Sequence, residues 1–136
     1  MPVNTEQFLE TYAQALNTFD AKLVSSFCIP PTIIMNDYGK KVLTTESEIF
    51  GSFERRLGQL QDYGVTKLVP TLHQTIRLSD SLFFSKIRWQ FFDKQDILLF
   101  GCATSYTLQR MPDKSLKIIV VVIDDTDNAL SKVFPV

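Results

Sequence analysis

The apolar residues of this chain change their spacing at Val65. Before it they recur at helical intervals, and after it they alternate. Helices grouped ahead of strands exclude a repeating βαβ order. They predict an α+β domain with N-terminal helices packed on a curved, mostly antiparallel sheet. A chain of 136 residues suits one domain with one core. No linker, repeat or low-complexity tract divides residues 1–136.

In the first half, Phe8, Leu9, Tyr12, Leu16 and Phe19 share one face of a helix predicted over residues 4–19. Asn4 and Gln7 stand at capping-box spacing at its start. Asp20 opens a short second helix that buries Leu23, Val24 and Phe27, and Pro30-Pro31 ends it. Residues 32–36 are β-type, residues 37–40 (Asp-Tyr-Gly-Lys) carry turn chemistry, and residues 41–43 pair back. Thr45 and Glu48 repeat the capping-box spacing ahead of a third helix. Ile49, Phe53, Leu57 and Leu60 form its apolar face, and Gly64 stops it. Arg55-Arg56 reads as a solvated part of that helix.

In the second half, Leu72, Gln74, Ile76 and Leu78 fall on one strand face, and Thr71, His73, Thr75 and Arg77 on the other. Residues 82–92 form a second strand, with Trp89 and Phe91 on the face opposite Arg88 and Phe92. Residues 97–110 and 116–123 complete an antiparallel meander with short turns. Pro70 and Gly101 inside strands predict bends or bulges. A bent sheet wrapped round helices makes a cone with a mouth. Residues 118–123 are apolar on both faces, more than a sheet backed on one side requires. A second copy of the chain is therefore expected to cover the outer face, making a homodimer. Residues 124–136 are polar and then apolar, and are expected to dock as one short helical turn.

Composition narrows the function classes. Fourteen basic and fifteen acidic residues give a formal charge of -1, with no basic tract to neutralise phosphates, so nucleic acid is not expected as a partner. The longest aliphatic run is too short to cross a bilayer, and no basic-then-apolar leader follows Met1. The expectation is no membrane partner and, by default, a reduced cytoplasmic setting. Cys28 and Cys102 lack CxxC spacing and histidine neighbours, so they read as buried free thiols, with a disulfide only if they meet in space. Asp124, Asp125 and Asp127 lack the glycine and distant glutamate of a calcium loop and read as a solvated chain end. No metal and no cofactor is expected. Eleven phenylalanines favour a roomy core or an apolar pocket for a small ligand, without deciding between them.

Six residues stand out as candidates. Asp37 is either a general base or a turn residue bonding its own backbone. His73, the single histidine, is the natural proton-transfer group at neutral pH, or an exposed strand residue. Tyr12 is either a pocket donor or a core aromatic whose hydroxyl reaches a rim. Arg88 stands between Phe84 and Phe92 on one strand face and needs an acceptor, either a glutamate or the carboxylate of an acidic ligand. Trp89, with Ile87 and Phe91, and Tyr106, with Cys102 and Thr104, either line a pocket or pack against the third helix.

The order of elements, carried by "FLETYAQALNTFDAKLVSSF", "TIIMNDYGKKVL", "ESEIFGSFERRL" and strands ending in "KIIVVVIDD", resembles the nuclear-transport-factor-2-like superfamily. That group is also called ketosteroid-isomerase-like or polyketide-cyclase-like. The resemblance spans nearly the whole chain and implies a cone-shaped fold. It hosts isomerases, cyclases, dehydratases and non-catalytic association domains. In its isomerase branch an Asp base stands near the end of the first strand, where Asp37 falls. A Tyr on the first helix, as Tyr12 is, donates to the developing oxyanion beside a protonated acid on a later strand. Residues 97–110 contain no Asp or Glu to match that acid. The expectation is a dimeric binding domain with an apolar cavity. Its alternative is an isomerase, cyclase or dehydratase using Asp37 or His73 as base.

Overall fold

The computed structural model describes residues 4–124. Two helices come first, α1 (Thr5–Leu16) and α2 (Ala21–Ser25), and a third, α3 (Glu46–Asp62), follows the first hairpin. Six strands follow the order β1 (Cys28–Asn36), β2 (Gly39–Leu43), β3 (Lys67–Arg77), β4 (Leu82–Phe92), β5 (Leu98–Arg110) and β6 (Leu116–Asp124). They form one sheet in the spatial order β2-β1-β6-β5-β4-β3. The last four strands are the expected antiparallel meander. β1 joins it parallel to β6, a pairing that the local alternation did not reveal. The expected tail over residues 124–136 lies outside the described residues beyond Asp124.

The helix ends follow local chemistry. Asn4 Oδ1 accepts from Gln7 N at 2.8 Å, and the Gln7 side chain accepts from Asn4 N in return. Thr45 Oγ1 accepts from Glu48 N, but the Glu48 carboxylate reaches back to Thr44, not to the cap residue itself. α3 stops where expected: Gly64 adopts φ +99, and Val65 N donates to Leu60 O at 2.9 Å. α1 is shorter than the predicted 4–19, because Asn17 caps it and Phe19 turns the chain with φ 55.

Two boundaries depart from the sequence reading. Pro30-Pro31 does not end α2, which stops at Ser25; the prolines lie inside β1. They sit where the β1–β6 register breaks, between Cys28 and Ile33, so their missing N–H groups cost no ladder bond. The bulges also fall elsewhere than at Pro70 and Gly101. His73 is the extra residue between the Leu72–Ile87 and Gln74–Lys86 pairs. Leu99 and Ile119 are the extra residues in β5 and β6. Pro70 is tolerated because β3 is an edge strand.

These bulges decide which side chains face the core. Opposed residues of an antiparallel pair share a face. Leu72, opposite Ile87, faces inward, whereas Gln74 and Ile76, opposite Lys86 and Phe84, face outward. The expected common face of Leu72, Gln74 and Ile76 is thus split at His73. In β6 the bulge at Ile119 lets Ile118, Val121 and Ile123 all serve the inner face. Val120 and Val122 are left outside, which explains why the run reads as apolar on both faces. α1 and α3 close the inner face. Ile34, Ile49, Ile87, Leu108 and Ile118 are its least accessible large residues.

Candidate ligand cavity

α1 presents Tyr12 and Leu16, one turn apart. α3 presents Phe53, Arg56, Leu57 and Leu60, a stripe at i, i+3, i+4 and i+7. Both stripes face the concave side of the sheet. There they line an open cavity of about 90 Å³ with Ile34, Leu68, Trp89, Phe91, Cys102, Thr104, Tyr106, Val121 and Ile123. The lining is mostly apolar, with one polar end.

That polar end is a hydroxyl and indole cluster. Trp89 Nε1 donates to the Tyr106 hydroxyl oxygen at 3.1 Å, both residues being buried. The Tyr12 side chain adjoins Tyr106 at this end of the cavity. The Tyr12 and Tyr106 rings meet edge to face at 5.7 Å, and Tyr12 meets Trp89 likewise at 6.5 Å. A phenolic oxygen has two acceptor sites and one proton. With one acceptor site taken by Trp89, Tyr106 still has its own O–H as a donor. Burial, reinforced by the neighbouring phenol, holds the Tyr12 hydroxyl well above its usual range. Burial raises Tyr106 as well, against the opposing effect of the Trp89 bond. Both phenols therefore stay protonated at neutral pH and act as donors, not bases.

Arg56 completes the cluster. It is half-buried, and burial first, then the adjacent Arg55, lower its pKa; Tyr12 and Tyr106 act in the opposite direction. A guanidinium nonetheless stays charged in proteins. The reading of Arg55-Arg56 as a solvated pair holds for Arg55, which is exposed, but not for Arg56. Its spacing from Phe53 was the signal available in the sequence. Asn17 was also missed: its side chain accepts from Leu68 N and donates to Leu68 O, both at 2.9 Å, tying α1 to β3 beside the cavity.

The sequence candidates separate into two groups. Tyr12, Trp89 and Tyr106 come together at the cavity. Asp37, His73 and Arg88 do not. Asp37 is exposed at the β1–β2 turn, and even the turn bonds belong to its neighbour: Asn36 Oδ1 accepts from Tyr38 N and Gly39 N. His73 is exposed in its bulge on the edge strand. Arg88 lies on the outer face, opposite Thr71 and Ala103, with its guanidinium over Gly101. Alternation from Trp89 places it there, so it cannot share the cavity with that residue. Cys28 and Cys102 are buried free thiols, and burial pushes the Cys28 thiol up to about 12.

The order of helices and strands, with a cavity between α1, α3 and a bent sheet, fits one family. The model of an NTF2-like protein family, DUF6841, matches residues 4–126. The chain belongs to this NTF2-like family. Solved structures agree in fold. Aln2 from a Streptomyces species superposes with a TM-score of 0.69 at 14% identity, over 97% of this chain and 99% of that one. A cystatin-like-fold domain of unknown function from Nostoc punctiforme gives 0.71 at 11% identity, over 90% and 78%. A ketosteroid isomerase-like protein from Erwinia carotovora atroseptica gives 0.63 at 12% identity, over 87% and 90%. No curated protein matches the chain in sequence. At these identities the likeness carries the NTF2-like fold alone. No helix among the described residues is long and apolar enough to cross a membrane.

Proposed function

We propose that this NTF2-like domain binds a small organic molecule in the cavity, without catalysing its conversion. The supporting observation is the contrast between lining and chemistry. The cavity holds aromatic and aliphatic walls with a donor cluster at one end, a pattern suited to orienting a ligand. Among the described residues, no carboxylate and no imidazole lines it. The bases that isomerase or cyclase chemistry would use, Asp37 and His73, stand at the surface. A volume of about 90 Å³ is smaller than the roughly 150 Å³ engineered cavity that takes benzene. The ligand is accordingly a compact one.

Thermal unfolding in the presence of small branched and cyclic compounds tests this reading. A binder raises Tm in a concentration-dependent way, and Val121→Phe, which fills the cavity, removes the shift. If every shift survives Val121→Phe, or if Asp37→Ala or His73→Ala abolishes turnover of a compound the protein converts, the reading fails.

A homodimer through the outer sheet face is the second part of this proposal. Register supports it: Val42, Ile33, Val120, Thr107, Phe84 and Ile76 are successive cross-strand partners, one from each of the six strands. This makes a nearly unbroken apolar row across the face away from the helices. Val42 and Ile76 are 54% and 41% exposed. A second copy meeting this row would cover it symmetrically. Light scattering at micromolar concentration should give twice the chain mass; a monomer would refute the dimer.

A further inference from the structure

The polar end of the cavity offers donors from several directions. Tyr106 accepts from Trp89 and keeps its own proton to give. Arg56 lines the same cavity and has donors only. Lys41 stands on the same side: it is the cross-strand partner of Ile34, which lines the cavity, so its side chain leaves the sheet on the concave face. Partial burial first, and then repulsion from Arg55 and Arg56, holds Lys41 below its ordinary pKa. Three cations from β2 and α3 thus gather beside an apolar chamber. Such a grouping favours an acceptor-only, negatively charged group.

We propose, resting on the small-molecule reading above, that the ligand is a compact organic carboxylate, with its apolar body against Phe53, Leu57 and Trp89 and its carboxylate at Arg56 and the Tyr106 hydroxyl. Lys41 and Arg55 attract the anion and hold it less directly. The size of the cavity restricts the body to a short branched chain or a small ring.

The test compares each acid with its own uncharged amide. Isobutyrate, isovalerate and cyclopropanecarboxylate are titrated against isobutyramide, isovaleramide and cyclopropanecarboxamide, following the emission of Trp89, the one tryptophan of the chain. At least one acid should bind about ten- to a hundredfold more tightly than its amide, the range for hydrogen bonds to a charged group. Arg56→Gln should remove that preference, weakening each acid that binds by more than its amide. Lys41→Gln, on the edge strand, should weaken acid binding about two- to threefold by lost attraction, and carries the test if Arg56→Gln does not fold. Amides that bind as tightly as their acids would overturn the carboxylate assignment and leave the cavity reading standing. If no member of any pair binds, both fall.

Discussion

The indole nitrogen of Trp89 and the hydroxyl of Tyr106 form a buried hydrogen bond of 3.1 Å across two neighbouring strands, β4 and β5. Their partners in the ladder are Cys102 and Ser85, so the two side chains meet diagonally on the concave face. The bond holds the Tyr106 ring, which meets the Tyr12 ring edge to face.

Removing the Tyr106 hydroxyl should therefore cost more than removing that of Tyr12. Tyr106→Phe leaves a buried indole N–H without its acceptor and is expected to destabilise the fold by about 1–3 kcal/mol. Tyr12→Phe removes a buried hydroxyl on which the Trp89 bond does not depend, so about 0.5–1.5 kcal/mol is expected. Urea unfolding of the two variants checks the order; equal losses would contradict it.

Gly101 should resist any side chain. A Cβ there would stand 2.8 Å from the Trp89 carbonyl oxygen and 3.1 Å from the Arg88 guanidinium. The first neighbour is backbone and cannot swing away. Gly101→Ala is expected to cost about 1–3 kcal/mol, measured by chemical denaturation.

Ser52 offers the opposite case. It is buried on α3, and its hydroxyl has no hydrogen-bond partner among the described residues. An unmet buried hydroxyl is costly, and alanine is the better helix former. Ser52→Ala is expected to raise stability by about 1 kcal/mol, visible as a higher denaturation midpoint.

The surface candidates should be nearly silent. Asp37→Asn and His73→Ala alter exposed side chains and are expected to change stability by no more than about 0.5 kcal/mol, with ligand-induced Tm shifts unchanged. Asn36→Ala is different, because it removes the acceptor for two turn N–H groups; about 1 kcal/mol is expected.

Much of this architecture is legible in the chain itself. Helical spacing and capping residues mark α1 and α3, and alternation marks β3 to β6. Tyr12, Trp89 and Tyr106 stand out as buried aromatics with polar tips. What local pattern cannot carry is register. The bulges at His73 and Ile119 reverse which residues face inward, and nothing in the alternation marks them. The parallel pairing of β1 with β6 joins segments far apart in sequence. Arg56 was hidden for a different reason: a charged residue inside an apolar stripe looks solvated until the opposing wall, here Tyr12 and Tyr106, is known. Asp37 drew attention through its place at a strand end, yet a strand end is also where a hairpin tip meets solvent.

The central claim is that the chamber around Trp89 receives a small molecule. The indole Nε1–H resonance reports on it most directly, since one tryptophan gives one such signal. In a ¹H–¹⁵N spectrum of the full chain, the account predicts that compact organic acids move this resonance saturably, and that Val121→Phe abolishes the movement while the rest of the spectrum stays dispersed. An indole signal that stays fixed across the series, or that moves equally in the filled variant, would contradict it.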